Sequence, residues 1–317
     1  MKLLVLGGTA FLGRAIAEAA LSAGHELTLF TRGKTNPELF PEAEKLRGNR
    51  DGELSPLEGR RWDAVIDTSG YVPRVVRASA DLLREAGHYT FVSSCSVYAG
   101  FAEPATEESP VATVEDESTE DVEANYGALK ALCEDVVEEV FPGRALHVRP
   151  GLIVGPHDPT GRFTYWPHRI ARGGEVLVPG APHRPVQLID VRDLAEWIVR
   201  SAQEGLTGTF NAISPPFPMR ELLEACPGEA TYTHVDEAWL VEREVGMWME
   251  LPLWIDTGNA EWARFMETDV SKAVAAGLTF RRLEQTARGA LEQAALVEGI
   301  GLTPEREAEL LADWHGR

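Results

Sequence analysis

The stretch Leu3-Leu4-Val5-Leu6-Gly7-Gly8-Thr9-Ala10-Phe11-Leu12-Gly13 decides the fold. Residues 2–6 are an apolar run of strand length, and residues 14–23 carry Ala15, Ile16, Ala19, Ala20 and Ala23 on one helical face before Gly24 stops them. A second strand, residues 27–30, follows and ends in Thr31-Arg32. A strand that turns tightly into a helix aims free N–H groups and a helix N-terminus at one point, which suits an anionic pyrophosphate. The spacing Gly7-x-x-Ala10-x-x-Gly13 is a three-glycine pattern with alanine in the middle place. Gly7, Thr9, Ala10, Phe11, Leu12 and Gly13 are therefore the candidate contacts of a dinucleotide, with a ribose-reading residue expected about 20 residues further on, near Arg32.

Working outward, the pace of the pattern stays the same. Residues 64–67 and 89–93 read as strands, residues 73–85 as a helix between them, and residues 145–149 as a strand after a long helix, 122–140. Alternating strands and helices imply parallel strands with crossover helices on both faces, so the fold class is α/β, a Rossmann-type doubly wound parallel sheet. Residues 33–61 are polar and hold one short element of uncertain type; residues 103–123 carry nine acidic side chains and no basic one, and read as an exposed loop. A strand at 186–189, a helix at 191–202 and a strand at 209–212 follow. The expected organisation is a nucleotide-binding domain over 1–155, with 186–213 returning to it, and a smaller C-terminal substrate-binding lobe from 156–185 and 214–317.

A formal net charge of −20 in 317 residues argues against nucleic acid as a partner, because neutralising phosphates needs clustered lysine and arginine. Three scattered cysteines, Cys95, Cys133 and Cys226, fit a reducing compartment, and no apolar run has the length of a membrane span, so a cytoplasmic protein is expected. His157 and His168 have no partner at zinc spacing, and no metal is expected.

Two local patterns carry chemistry. Tyr126-Gly-Ala-Leu-Lys130 puts a phenol and an ammonium one helical turn apart, and a nearby ammonium favours the phenolate, as proton transfer with a hydroxyl requires. In Phe91-Val92-Ser93-Ser94-Cys95-Ser96 a strand runs out into hydroxyls at its C-terminal end, the edge where ligands of open parallel sheets sit.

With these residues in hand, the chain resembles the extended short-chain dehydrogenase/reductase family, which includes nucleotide-sugar epimerases and dehydratases. Arg149-Pro150 with Gly155-Pro156, Asp190-Val191-Arg192-Asp193-Leu194-Ala195 and Asp269-Val270-Ser271-Lys272-Ala273 also match that family's segments in order, so the resemblance covers nearly the whole chain. It looks closest to a bacterial branch related to chloroplast stem-loop-binding proteins. The resemblance implies Ser94, Tyr126 and Lys130 as the catalytic triad: Tyr126 as acid/base, Lys130 lowering its pKa and holding the nicotinamide ribose, Ser94 bonding the reacting oxygen. It implies further cofactor contacts at Asn49 and Arg50, at Thr68 and Ser69, and at Pro150, and possible pairing of two copies through the helices that carry Tyr126. Arg32 stands where many relatives have an acidic residue that binds both ribose hydroxyls, which favours NADP over NAD.

Where the pattern departs, it bears on substrate. The family's diphosphate-binding asparagine and arginine correspond to Leu152 and Val186, so the phosphate clamps are replaced by apolar side chains. Arg184 lies two residues from Val186 and is a candidate substitute; Ser96, Arg162 and Tyr165 are the other candidate substrate contacts. Dehydratases of the family add an Asp-Glu pair after the catalytic serine, and Cys95-Ser96 stands there, which disfavours elimination. The expected activity is NAD(P)-dependent hydride transfer at a hydroxyl or carbonyl carbon of a small polar molecule, sugar-like ones included, as epimerase or reductase. The alternative is a non-catalytic protein that senses nucleotide or contacts RNA on the same fold.

Overall fold

The computed structural model describes all residues, Met1–Arg317. Its centre is a seven-stranded sheet built from β1 (Lys2–Leu6), β2 (Glu26–Thr31), β3 (Glu44–Arg47), β4 (Ala64–Asp67), β5 (His88–Val92), β6 (Ala145–Pro150) and a return strand after residue 200, Gly208–Ala212. Every ladder is parallel, and the spatial order runs from Gly208–Ala212 through β6, β5, β4, β1 and β2 to β3. Successive side chains of a strand point to opposite faces. Leu3 and Val5 accordingly enter one apolar cluster with helices α1 (Phe11–Ser22) and Val191–Glu204, while Leu4 and Leu6 enter another with α2 (Pro73–Leu82) and α3 (Val122–Val140). Burial on both faces is why these strands read as unbroken apolar runs rather than alternating ones.

The expected helix at 73–85 ends at Leu82, and the uncertain element in 33–61 is the edge strand β3 with one turn of 3-10 helix at Ser55–Leu57. The acidic segment is without regular structure up to residue 121, apart from one bridge, Tyr98 to Val111, and its last two residues open α3. The expected strand at 186–189 is a correction. Four short elements lie between β6 and residue 190: β7 (Ile153–Val154), α4 (Tyr165–Ala171), β8 (Gly174–Pro179) and β9 (Pro185–Val186), followed by β10 (Ile189–Asp190). The single apolar stretch thus divides into β9, antiparallel to Phe217–Pro218, and β10, parallel to β7, because Gln187 between them turns its side chain to bond Ser214 and Thr268. The next elements are α5 (Val191–Glu204), which packs on α1, and β11 (Gly208–Ala212), the return strand at the sheet's edge.

A second apolar core lies outside the sheet. It joins Phe163, Tyr165 and Trp166 with Val176, Leu222 and Trp254, and is closed by the helices Leu283–Gln293 and Pro304–His315. No helix is long and apolar enough to cross a membrane, and no group of three His, Cys, Asp or Glu residues is placed to hold a metal ion.

Candidate active site

The C-terminal ends of β2, β1, β4, β5 and β6 open, in that order, onto one cavity of about 1010 Å³. That is the upper end of the range for small-molecule sites. Gly7 to Gly13 line it at β1, Arg32 to Thr35 at β2, Thr68 and Ser69 at β4, Ser93 to Ser96 at β5, and Pro150 to Ile153 at β6.

The turn after β1 is held at backbone distance. Gly7 and Gly8 have φ of +114° and +105°, where only glycine is unstrained, and a Cβ on Gly13 would stand 2.7 Å from the Gly8 nitrogen. Thr68 Oγ1 donates to the Leu6 carbonyl at 2.9 Å, and Ser69 Oγ to the same oxygen at 3.3 Å, tying β4 to β1 under the turn. Asn36 Nδ2 donates to the Thr9 carbonyl at 2.9 Å. Phe11 opens α1 with φ of +38°, a left-handed conformation that costs a non-glycine residue about 1–2 kcal/mol. The helix N-terminus has no side-chain cap and no acidic residue in its first turn, so its donors are free for an anion. The residues present therefore fit a dinucleotide pyrophosphate.

At the end of β5, Ser94 Oγ accepts from the Ser96 N–H at 3.1 Å, which leaves its own proton to donate. Tyr126 lies close enough to feel that hydroxyl, and both line the cavity. What brings the two together is Gly127. A Cβ there would lie 2.0 Å from the Ser96 carbonyl oxygen, so α3 approaches the Ser94 turn more closely than any other residue allows. Asn125, with φ of −126° and ψ of 26°, breaks the helix immediately before Tyr126.

Lys130 is buried, and its Nζ donates to the carbonyls of Val92 at 2.6 Å and Gly70 at 2.7 Å while lying 4.1 Å over the Phe91 ring. Burial pulls its pKa down to about 8. Tyr126, also desolvated, stands above the ordinary phenol value, with the Ser94 hydroxyl and then the Arg162 charge opposing that rise. The Lys130 ammonium is engaged by two backbone carbonyls, and the groups that oppose the rise at Tyr126 are the Ser94 hydroxyl and the Arg162 charge.

Three expectations change. Arg50 borders the cavity, but its guanidinium is bidentate on Asp67 and also bonds Ser79 Oγ, so it props the floor and does not reach outward. Tyr165 is buried in the second core, with its hydroxyl unpartnered, and does not line the cavity. Arg184 donates to the Leu253 carbonyl and faces Glu237, also away from the cavity. Both look inward because the helix that carries Tyr165 and the strand that follows Arg184 serve the second core. Asn49, Pro150, Ser96 and Arg162 do line the cavity. Residues that the sequence did not single out include Lys34, Tyr71, whose ring is 6.4 Å from that of Tyr126, and Trp248, Trp262, Phe265 and Met266. Gly127 had a signal, a glycine inside a helical pattern; the tryptophans had none, being more than a hundred residues away in sequence.

The profile of the NAD dependent epimerase/dehydratase family matches residues 3–212. The chain belongs to that family. A chloroplast stem-loop binding protein of 41 kDa from Arabidopsis thaliana is 25% identical over 220 residues, 61% of this chain and 53% of that protein, so this chain matches about half the length of its relative. Among solved structures of the family's fold, the Bordetella bronchiseptica enzyme WbmH in complex with NAD+ superimposes with a TM-score of 0.64 at 18% identity over 92% of this chain and 97% of that one. UDP-glucuronic acid 4-epimerase from Bacillus cereus in complex with NAD gives 0.65 at 14% identity over 92% and 96%. The human epimerase family protein SDR39U1 with NADPH gives 0.61 at 18% identity over 91% and 99%. At these identities the superpositions speak for the fold.

Proposed function

We propose that the protein is an NAD(P)-dependent oxidoreductase or epimerase that acts at a hydroxyl or carbonyl carbon of a small polar molecule, with Ser94, Tyr126 and Lys130 as its catalytic residues. The observation that carries this reading is the convergence of the two hydroxyls and the buried ammonium on one cavity with the glycine turn, at the sheet edge where cofactor and substrate meet. The turn 7–13, Asn49, Thr68, Ser69 and Pro150 would hold a nicotinamide dinucleotide, which supplies hydride acceptance and donation when bound. Arg32 and Lys34 are exposed on the cavity's edge after β2, where a ribose phosphate would meet them, which supports NADP over NAD.

Tyr126 exchanges the proton of the substrate oxygen. Standing above its ordinary pKa, it is a phenol at neutral pH and is poised to donate when a carbonyl is reduced; as the minority phenolate it accepts the proton when a hydroxyl is oxidised. Ser94 donates to the same oxygen, where negative charge develops. Lys130 fixes β5 to the loop after β4 and keeps a positive charge beside the reacting region. Cys95, whose thiol burial pushes up to about 12 and which donates to the Arg149 carbonyl, offers no acid or base where a dehydratase needs them, so elimination is disfavoured.

The test is a titration of the purified chain with NADPH and NADH, followed by turnover of a panel of ketones and UDP-sugars. Net consumption of NADPH identifies a reductase, and cycling of a tightly held cofactor an epimerase. Tyr126→Phe is expected to cut turnover by roughly 10²–10⁴-fold while leaving cofactor affinity intact. An unchanged rate removes the catalytic role and leaves a nucleotide-binding protein.

A further inference from the structure

Six charged side chains line the cavity, and they fall into two groups. Arg50, Asp51 and Lys130 are bonded within the protein: Arg50 to Asp67, Asp51 to Arg74, Lys130 to two carbonyls. Arg32, Lys34 and Arg162 are not. The first two are exposed at the end of β2, but Arg162 lies at the opposite end, half-buried, with its Nε shut from solvent and without a partner. A guanidinium left so is costly unless something else completes it.

Its surroundings say what that is. Arg162 lies 5.5 Å over the Trp248 ring, and Trp262, Phe265 and Met266 continue the same wall. Two polar groups that line the cavity are already engaged: Gln187 bonds Thr268 and Ser214, and Thr160 donates to Asp158. Asp158 is buried with one oxygen unpartnered, and its charge opposes the fall that burial imposes on the Arg162 pKa without meeting the guanidinium in an ion pair. On the inner side, the charge of Arg162 is felt by Tyr126.

Resting on the oxidoreductase reading, we propose that Arg162 selects a substrate bearing a single carboxylate close to the carbon that reacts, with an apolar remainder packed against Trp248, Trp262 and Phe265. One planar guanidinium matches one carboxylate by two parallel hydrogen bonds. It does not match a diphosphate: Leu152 brings an apolar side chain to the cavity, Val186 is buried in the second core, and Arg184 is turned away to Leu253. The substrate is thus an oxo or hydroxy acid with an apolar or aromatic body, in place of a nucleotide-sugar.

The probe is benzoylformate, which combines a carbonyl, an adjacent carboxylate and a phenyl ring, set against its neutral primary amide. Binding of both to the full chain saturated with NADP+ is measured by calorimetry, in wild type, Arg162→Met and Arg162→Lys. The acid is expected to bind at least about tenfold more tightly than the amide, as a charge-assisted bond warrants. Arg162→Met should erase that preference, and Arg162→Lys should keep part of it, since the charge remains and the fork is lost. Equal affinity for acid and amide, no binding of the acid at millimolar concentration, a preference that survives Arg162→Met, or tighter binding of UDP-glucose each overturns the proposal. Because the assay reads binding to the loaded protein, such a failure leaves the oxidoreductase reading standing, whereas loss of NADP+ binding itself would remove that reading.

Discussion

Arg50 and Arg162 border the same cavity and differ in almost every other respect. Arg50 completes four hydrogen bonds to Asp67 and Ser79, and Asp67 in turn accepts from the Tyr89 hydroxyl at 2.9 Å and the Ser69 N–H at 3.0 Å. Arg162 completes none within the protein. The contrast separates a charge used to build the floor from a charge left for a ligand, and it runs through the whole cavity. At the cofactor end, position is set by backbone: strand ends, glycines and hydroxyls that bond carbonyls. At the far end it is set by side chains from distant segments, aromatic rings above all.

The contrast breaks first on stability. Arg50→Met strands the fully buried Asp67 carboxylate, and loss of one partner from a buried ion pair costs roughly 3–5 kcal/mol. Arg162→Met breaks no hydrogen bond; it forfeits a contact with Trp248 worth about 0.5–1 kcal/mol and a charge attraction to Asp158 that stops short of an ion pair. Denaturant midpoints of the two variants measure the difference. Equal midpoints would mean that Arg162 is as structural as Arg50.

A smaller effect tests the backbone side of the comparison. Gly127→Ala adds a Cβ 2.0 Å from a carbonyl oxygen of the Ser94 turn, and backbone on both sides must yield. Tyr126 and Ser94 then separate by the order of 1 Å, a displacement that can cost about a hundredfold in rate. NADPH affinity should hold, because the glycine turn lies on another strand. A variant with full kcat would show that the close approach of α3 is dispensable.

Legibility followed the same division. β1, the glycine turn, β4, β6 and α3 were readable because a strand buried on both faces is apolar throughout and the turn has few sequence solutions. Ser94, Tyr126 and Lys130 were readable because each lies at a fixed offset from a strand end or helix start. Arg50 could not be told from a ligand contact, since its partner Asp67 belongs to a strand 17 residues on. Tyr165 and Arg184 were misplaced because a local sequence does not say which of two apolar cores a short helix or strand serves. Trp248 and Trp262 were invisible as cavity residues for the same reason: long-range loop packing brings them there, and no period records it.

The smallest expected effect concerns Arg32, and it asks whether the free cations at the two ends are alike. Arg32 and Lys34 are exposed, so water solvates them in the absence of a ligand, and unlike Arg162 neither is left with a buried donor to satisfy. Whatever Arg32 contributes must therefore come from a phosphate at the adenosine ribose, and it is screened by solvent and shared with Lys34. Arg32→Ala is expected to weaken NADPH by about tenfold, within the range of one charge-assisted hydrogen bond, and NADH by much less. The ratio of the two dissociation constants, measured at two salt concentrations, reads this directly: added salt should narrow the ratio in the wild type and change it little in the variant. Equal weakening of both cofactors would assign Arg32 to the turn's structure and place it with Arg50 on the building side of the comparison.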